Sequence, residues 1–299
     1  MMRPCVFGFN PETSASNAFQ HQFPVEDLTV KVQSEFDHVL QQLRAEGLEV
    51  HCTQSVDERA PDAIFPNNWF STHHDGSLVL YPMMAVNRRR ERESSLLDEL
   101  RDRFCIDRII DLRSHELEGR FLEGTGSVVF DHEAAIAYAV LSPRTDRLLL
   151  EDLCHRLHYR PVHYHSTDAM GMPFYHTNVV MFAGSSFVVY CPESIRLKAE
   201  LEMLERIILE SGKIPLALSL QQVSDFCGNM LQVRNAAGDL LTICSGTAWS
   251  SLLDSQKELI STGSRFVVVD IPLIEKIGGG GIRCMLAEVF LAHRPTASC

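Results

Sequence analysis

The stretch Gly278-Gly-Gly-Gly-Ile-Arg-Cys-Met-Leu-Ala-Glu-Val-Phe290 places one cysteine shortly after four consecutive glycines. Glycine has no Cβ atom, so the segment Gly278–Gly281 can turn tightly and approach a ligand closely. The apolar residues after Cys284 predict a strand that runs to Phe290. A thiol between a flexible turn and a strand is well placed to act as a nucleophile. The rest of the chain must then supply the partners of this thiol.

Length and composition describe an ordinary globular protein that is acidic. The chain has 299 residues, of which 45% are hydrophobic and 22% charged, which suits one large domain or two smaller ones. Its formal charge of −12 and its pI near 5.5 argue against binding to nucleic acid or to an anionic membrane, because both attract cationic surfaces. A small molecule is therefore the expected partner.

The sequence carries no signal for secretion, membrane insertion or metal binding. The start, Met1 to Phe9, lacks the apolar core of a signal peptide, and no apolar run reaches the roughly 18 residues of a membrane helix. Nine cysteines are scattered without a C-x-x-C pair, so neither a disulfide framework nor a zinc site is indicated. The histidines at 73–74 and 163–165 lack a carboxylate or cysteine at a recognised metal-binding spacing. We expect a cytoplasmic protein without a metal or organic cofactor.

An order of strand, hairpin, strand and helix returns along the chain at a nearly constant interval. One polar or reactive residue marks the start of each unit, and these residues are Asn68, Glu123, Asn178, Asn229 and Cys284. They are 55, 55, 51 and 55 residues apart, and such a period is typical of a propeller or an array of one supersecondary unit. We predict one α/β domain over residues 1–299, in which five strand starts converge on a central cavity. Coincidence among ordinary alternating strands and helices is the alternative.

The residues at or beside these starts include the parts needed for nucleophilic catalysis. Cys284 offers a thiol, His176 an imidazole and Glu123 a carboxylate, which together suit acyl-type chemistry with proton transfer. Amides at 67, 68, 178 and 229 could contact a polar substrate. Each residue also has a structural interpretation, since His176 could be a buried histidine and Glu123 a strand-end carboxylate with satisfied hydrogen bonds.

Five motifs spread over nearly the whole chain carry a family resemblance. They are PDAIFPNN (61–68), FLEGTGSVVF (121–130), LSPRTD (141–146), YHTNVV (175–180) and GGGGIRCM (278–285). Together they resemble the guanidine-modifying superfamily, with the pentein or amidinotransferase fold, which contains arginine deiminase and dimethylargininase. The resemblance implies a five-bladed α/β propeller of ββαβ-type repeats with pseudo-fivefold symmetry. It also implies Cys284 as the nucleophile, His176 as the general acid and base, and Glu123 as the active-site carboxylate.

The same resemblance implies residues that bind the substrate. Arg144 and also Arg89 would hold the α-carboxylate of an amino acid, a role that suits the paired donors of a guanidinium group. Asp62 would lie at the reacting end of the substrate. An amino acid or a related small molecule is then the expected ligand.

The sequence departs from the arginine-specific members at two places. Where those members offer a carboxylate to the cationic guanidinium, Phe65-Pro-Asn67-Asn68 offers only neutral amides, and Asn178 replaces an aspartate two residues after the histidine. A buried guanidinium without paired carboxylates is strongly unfavourable, whereas a neutral ureido group can use both the donor and the acceptor of an amide. The motifs therefore look like the citrulline-hydrolase branch. The implied reaction converts citrulline to ornithine, carbon dioxide and ammonia through a covalent cysteine intermediate.

Other members of the superfamily remain as alternatives. An arginine, methylarginine or peptidyl-arginine deiminase or an amidinotransferase would share the fold and the cysteine, and Asp62 and Glu123 leave some negative charge for a cationic substrate. The same fold also serves a ribosome-binding factor without catalysis. Such a binding protein would not need Cys284, His176 and Glu123 together, and an acidic chain suits RNA poorly.

Overall fold

Strands and helices alternate along the chain, as the repeat predicts. The computed structural model describes residues 1–93 and 95–295, so Ser94 and the last four residues of the predicted domain lie outside it. The strands are β1 (Met2–Arg3), β2 (Thr53–Gln54), β3 (Phe70–Thr72), β4 (Ser77–Leu80), β5 (Arg108–Asp111), β6 (Val129–Asp131), β7 (Ile136–Val140), β8 (Arg160–Tyr164), β9 (Phe182–Ala183), β10 (Phe187–Tyr190), β11 (Ile214–Ala217), β12 (Leu231–Arg234), β13 (Leu240–Ser245) and β14 (Arg265–Val269).

The helices vary from single turns to five turns in length. The α-helices are α1 (Pro11–Ser14), α2 (Leu28–Ala45), α3 (Leu96–Arg103), α4 (Gly124–Ser127), α5 (Arg147–Leu157), α6 (Lys198–Glu210), α7 (Leu220–Ser224), α8 (Gly246–Ser251) and α9 (Asp254–Ser261). The 3-10 helices are Pro66–Asn68, Asn87–Glu93, Arg113–Glu118, Thr177–Val179, Pro192–Ser194 and Ile282–Met285, and Ile274–Gly278 is a π-helix. Over residues 1–93 and 95–295, no helix has the length and apolar character required to span a membrane.

Four three-stranded sheets share one construction. In each sheet two strands form an antiparallel hairpin, and a third strand pairs in parallel with the second. The sheets are β3-β4-β5, β6-β7-β8, β9-β10-β11 and β12-β13-β14, and the helices before the third strands are α3, α5, α6 and the pair α8 and α9. The predicted ββαβ construction is therefore present in these four units.

Both ends of the chain contribute to the remaining unit, which differs from the prediction. β1 pairs in parallel with β2 across α2, whereas residues 286–290 contain no strand. The strand predicted after Cys284 is therefore wrong. The side chain of Thr72 gives the physical reason, because its hydroxyl donates to the Glu288 carbonyl (3.0 Å) and accepts from the Phe290 amide (2.9 Å). The Thr72 side chain thus forms the hydrogen bonds with these backbone groups that a neighbouring strand would otherwise form.

Amphipathic helices cover the sheets. In α2 the buried residues Val32, Phe36, Val39 and Leu43 recur at helical spacing and face one side, where they join a cluster with Val267 of β14. This helix ends before Gly47, whose φ of +78° lies in the left-handed region that glycine adopts readily. The helix packing therefore follows the apolar pattern of the sequence.

Five short turns meet at the centre of the molecule, and we call them the inner ring. They are Pro66–Asn68, α4, Thr177–Val179, residues 225–229 and Ile282–Met285. The five residues that mark the repeat lie in or directly before these turns, ahead of the strands that they were predicted to begin. The first four of these segments therefore cross the ring before they enter the strands β3, β6, β9 and β12, and no strand follows the fifth turn over residues 286–290.

Side-chain hydrogen bonds link neighbouring turns of the inner ring. The links in order are Asn67 Nδ2 to Thr125 Oγ1 (3.1 Å), Thr177 Oγ1 to the Ser127 carbonyl (2.5 Å), Asn229 Nδ2 to the Asn178 carbonyl (2.8 Å), and the Arg283 amide to Asn229 Oδ1 (3.0 Å). The ring closes where Gly280 packs on Phe65, since a Cβ atom at Gly280 would lie 3.0 Å from that aromatic ring. The predicted convergence of the five positions is thus present.

Thr177→Val should destabilise the protein by about 2 kcal/mol, because two buried hydrogen bonds of one hydroxyl would be lost. Thr177 Oγ1 donates to Ser127 and accepts from the Val140 amide at 2.7 Å. The free energy of unfolding in urea measures the change. Thr262→Val, at an exposed hydroxyl, is the matched control, and equal stability of the two variants would contradict the importance of this link.

Candidate active site

A small buried cavity lies on the side of the inner ring from which the chain segments arrive. Its volume is about 10 Å³, the space of about one water molecule. The lining residues are Thr13, Asn17, Gln20, Asp62, Phe65, Asn68, Arg88, Arg144, Tyr175, His176, Gly278, Gly279, Gly280 and Cys284. Five of the predicted site residues, namely Cys284, His176, Asp62, Asn68 and Arg144, therefore face one cavity, although they are distant in sequence.

The Cys284 thiol is buried between amide groups. The side-chain nitrogens of Asn229 and Asn178 lie 3.3 Å and 3.5 Å from Sγ. Burial raises the pKa of Cys284 above its ordinary value, against the opposing hydrogen bonds from these two amides. The thiol is therefore protonated at neutral pH until a base removes its proton. Asn178, which was predicted to contact the substrate, contacts the sulfur in this structure.

His176 and Glu123 form a buried pair beside the thiol. Nε2 of His176 lies 2.8 Å from Oε2 of Glu123, whose Oε1 accepts from the Met84 amide at 2.9 Å. Burial by itself raises the pKa of Glu123, but the charge of Arg144 and the hydrogen bond of His176 lower it well below its ordinary value. Burial lowers the pKa of His176, although Glu123 opposes this effect.

The ionised Glu123 fixes the tautomer of the imidazole. A carboxylate only accepts hydrogen bonds, so Nε2 of His176 carries the proton and Nδ1 keeps a free lone pair. A neutral imidazole with a free Nδ1 can take a proton from a thiol or from water. The pair has the geometry and charge of a general base with an orienting carboxylate.

Arg144 connects this pair with the N-terminal segment. Its guanidinium lies 3.4 Å from Glu123 Oε2 and donates to the hydroxyl of Ser16 (2.6 Å) and the carbonyl of Thr13 (2.8 Å). The guanidinium carbon also lies 5.0 Å from the centre of the Tyr175 ring. Arg144 thus lines the cavity, with several donors engaged by Thr13 and Ser16, and its contact with a substrate carboxylate stays a prediction.

The second predicted arginine is replaced by its neighbour. Arg89 donates to the carbonyls of Met83 and Met84 and pairs with Glu116 at 3.3 Å, so it does not line the cavity. Arg88 lines the cavity instead, with Glu91 bound to its Nε at 2.7 Å. The sequence contains the run Arg88-Arg89-Arg90 in one 3-10 helix, and the choice among three adjacent arginines depends on the rotation of that helix.

The two adjacent amides separate in the structure. Asn67 points to Thr125 and does not line the cavity, so it supports the inner ring and does not face the site. Asn68 lines the cavity, and its Oδ1 accepts from Arg88 Nη1 at 2.7 Å. Since a guanidinium only donates, this bond also fixes the orientation of the amide. The remaining donor, Asn68 Nδ2, is buried and has no protein acceptor.

Asp62 presents a second unsatisfied group. Its Oδ2 accepts from Asn10 Nδ2 (2.7 Å) and Thr13 Oγ1 (3.2 Å), and Arg88 Nε is 3.9 Å away. Oδ1 is buried without a partner. Burial raises the pKa of Asp62, against the charge of Arg88. The cavity therefore offers one free donor, from Asn68, and one free acceptor, from Asp62.

The N-terminal segment 10–20 covers the cavity. Asn17 Nδ2 donates to the Gly279 carbonyl (3.2 Å) and Gln20 Nε2 to the Gly278 carbonyl (2.9 Å). These contacts need glycine at 279, because its φ is +64° and a side chain would meet Gln20. Thr13, Asn17 and Gln20 are not among the residues predicted for the site, and the polarity of their segment is the signal that the sequence offers for them.

A larger cavity of about 670 Å³ lies on the other side of the inner ring, and we call it the far cavity. Its lining comes from all five units and includes residues 70, 129–133, 181–185, 230–234 and 286–291, which follow the ring turns in sequence. Asn178, which contacts the thiol, and Arg283, which precedes Cys284 in sequence, line it as well. Over the described ranges, no three His, Cys, Asp or Glu residues are grouped to hold a metal ion.

Alkylation of Cys284 should speed up about tenfold per pH unit and still be rising above pH 9, because thiolate is the reactive form and burial raises this pKa. Peptide mass spectrometry after timed exposure to iodoacetamide reads Cys284 separately from the other thiols. Cys284→Ser identifies the background. A rate that levels off near pH 7 would instead indicate a thiolate already formed in the free protein.

Comparison with known proteins places this geometry in a family. Residues 3–291 match the family described as N,N dimethylarginine dimethylhydrolase, eukaryotic. No curated protein gives a significant match. The apo crystal structure of ArgZ, an arginine dihydrolase from the ornithine-ammonia cycle in cyanobacteria, superposes with a TM-score of 0.73 at 16% identity, and the match covers 97% of this chain and 40% of ArgZ.

Two further solved structures show the same fold over nearly their whole length. The N-terminal domain of ArgZ bound to substrate has a TM-score of 0.74 at 16% identity, with 97% of this chain and 98% of that domain covered. A dimethylarginine dimethylaminohydrolase adduct has a TM-score of 0.63 at 14% identity, with coverages of 95% and 96%. The chain therefore belongs to the N,N-dimethylarginine dimethylhydrolase family, hydrolases of carbon–nitrogen bonds in the guanidine-modifying pentein superfamily.

Proposed function

We propose that this protein hydrolyses the ureido group of citrulline to ornithine, carbon dioxide and ammonia, with Cys284 as the nucleophile. The observation that carries the proposal is the orientation of Asn68. Asn68 lines the cavity and Arg88 occupies its oxygen, so Nδ2 is left as a buried donor without a protein acceptor. A ligand at this position has to offer an acceptor, because a buried donor without a partner costs about 1–3 kcal/mol.

A ureido oxygen meets this requirement and a guanidinium does not. All nitrogens of a guanidinium act as donors, so it would place N–H groups against Asn68 Nδ2 and a positive charge near Arg88. Citrulline carries a C=O group at the same position and no side-chain charge. Its N–H groups can donate to the free Oδ1 of Asp62.

The site residues support a two-step reaction. His176 Nδ1 takes the proton of Cys284 as the sulfur attacks the ureido carbon, and Glu123 stabilises the imidazolium that forms. The imidazolium then gives this proton to the leaving nitrogen. In the second step His176 takes a proton from water, which attacks the thioester-like carbon and releases the sulfur. Arg144 is the group in reach of the substrate's carboxylate.

Substrate access requires the N-terminal segment 10–20 to move. The cavity now has the space of about one water molecule, and citrulline is many times larger. Asn17 and Gln20 hold the segment closed through two glycine carbonyls, and Arg144 holds it through Thr13 and Ser16. A substrate carboxylate would replace these contacts of Arg144 with charge-assisted hydrogen bonds, so binding can offset the opening.

The fold and location complete the proposal. Four ββαβ units, a fifth unit from both chain ends and a closed inner ring suit five blades of an α/β propeller around a central channel. The cysteines within residues 1–295 are free thiols, which suits the reducing cytoplasm. We therefore keep the five-bladed propeller and the cytoplasmic location as part of the proposal.

Arginine is the second candidate substrate. Asp62 keeps a free carboxylate oxygen in the cavity, and the similar structures include the arginine dihydrolase ArgZ and AgrE with L-arginine. A guanidinium could pair with Asp62 if Asn68 turned away from Arg88. Hydrolysis of arginine would then give citrulline or ornithine from the same thiol.

Purified protein should release ornithine and ammonia from citrulline, and Cys284→Ala should abolish the release because it removes the nucleophile. Parallel reactions with citrulline, arginine and methylarginine, analysed for ornithine, citrulline and ammonia, measure the preference. Cys105→Ala, at a thiol outside the cavity, is the matched control. Formation of citrulline from arginine, without turnover of citrulline, would refute the proposal.

Asn68→Asp should lower kcat/KM for citrulline about 10- to 100-fold, because it replaces the free donor by an acceptor that repels the ureido oxygen. Asn67→Asp makes the same change at an amide that does not line the cavity. Thermal unfolding shows whether both variants fold. Equal citrulline kinetics for Asn68→Asp and the wild type would mean that this amide does not contact the ureido group.

A further inference from the structure

The thiol lies between two cavities of very different size. On one side is the small cavity closed by the segment 10–20, and on the other is the far cavity of about 670 Å³. Asn178 contacts Sγ at 3.5 Å and also lines the far cavity. The exposed residues Glu133, Arg234 and His293 line the far cavity too, so it reaches the protein surface.

In the proposed reaction, ammonia must leave the sulfur of Cys284 and water must reach it while the amino-acid part of the substrate stays bound. Sγ bonds to the ureido carbon as the bond from that carbon to the terminal NH2 breaks, and the thiol proton leaves with this nitrogen as ammonia. Ornithine is then tethered through its side-chain nitrogen as a thiocarbamate on Cys284. Water must next add to the carbon, break the C–S bond and return a proton to sulfur, which leaves a carbamate that loses carbon dioxide.

The small cavity gives ammonia and water no path to or from the sulfur while the thiocarbamate is attached to Cys284. The amino-acid end of the substrate extends toward Arg144, which bonds to Thr13 and Ser16, so this end fills the space beneath the N-terminal segment. The terminal NH2 is then the deepest group of the substrate and lies nearest to the inner ring. Ammonia and water are small enough to pass a single amide side chain, whereas ornithine is not.

We infer that the far cavity is a second route to Cys284, which brings water in and takes ammonia out past Asn178. The inference rests on the proposed function for its chemistry, and on the two cavities for its geometry. The polar groups of Asn178 and Arg283 at the inner end of the far cavity can hydrogen-bond to passing water and ammonia. The substrate route and the solvent route are then on opposite sides of the inner ring.

The test narrows the far cavity without touching the catalytic groups. Ala287 and Ala183 line it with small, partly exposed side chains, so Ala287→Trp and Ala183→Trp place a large ring in the route. Ala199→Trp, on the exposed face of α6, is the matched control. Two variants are used so that the test survives if one of them does not fold.

The rate at which a reagent modifies Cys284 measures access through the far cavity without any turnover of substrate. The probe is hydrogen peroxide, a small neutral oxidant of thiols that is not much larger than water, and peptide mass spectrometry follows the oxidation of Cys284. Oxidation in the presence of ornithine, which holds the substrate side, should be about tenfold slower in Ala287→Trp or Ala183→Trp than in the wild type and in Ala199→Trp. Unchanged oxidation in both folded variants would overturn the inference, whatever the substrate is.

Turnover provides the second readout. With citrulline, the narrowed variants should show a kcat about tenfold lower with little change in KM, and the thiocarbamate on Cys284 should accumulate because water reaches it slowly. Normal kcat in both narrowed variants would overturn the inference. If the wild type does not turn over citrulline at all, the proposed function fails, while the oxidation result still decides whether the far cavity leads to the thiol.

Discussion

The hydrogen bonds of the inner ring are the constraint on which the rest of the structure depends. Each sheet is small, and three strands of two to six residues cannot hold a site rigid alone. The ring joins the four units that contain these sheets and the fifth, two-stranded unit through buried side chains, among them Thr177 with Ser127 at 2.5 Å and Asn229 with Asn178 at 2.8 Å. Because Asn229 also contacts Sγ of Cys284, the bonds that join the units also position the thiol.

Charge pairing explains how so many ionised groups are buried around one cavity. Arg88 pairs with Glu91, and Arg144 lies beside the pair of Glu123 and His176. An unpaired buried charge is costly, so each arginine is accompanied by a carboxylate. A ligand with no net charge can enter this balanced surrounding without removing a partner from any of these groups.

The sequence predicted the parts of the site that depend on a repeating position along the chain. Cys284, Glu123 and Asn68 follow from the period of the repeat, because each lies at the same point of its unit, and His176 lies in a short motif two residues before the repeating position. The replacement of Arg89 by Arg88 was not predictable, since one residue step on a 3-10 helix turns the side chain by about a third of a turn.

The covering segment and the last strand depended on contacts between distant residues. Thr13, Asn17 and Gln20 become site residues because they bond to Asp62 and to glycine carbonyls some 260 residues later. Likewise, residues 286–290 resemble a strand in sequence, but the hydroxyl of Thr72 binds their backbone. Local periodicity contains no information about either contact.

The protonation of the Cys284 thiol depends both on the geometry of the site and on the charge of the substrate. A cationic substrate would favour the thiolate directly through its charge, whereas a neutral ureido group gives no such help. The buried Cys284 therefore needs a base that is neutral before the reaction and stabilised when it becomes charged. His176 meets both conditions. Burial lowers its pKa, so the free imidazole is neutral, and Glu123 lies 2.8 Å from Nε2, where its negative charge stabilises the imidazolium. A site that carries its own base and counter-ion can act on a neutral carbon, as the proposed hydrolysis of citrulline requires.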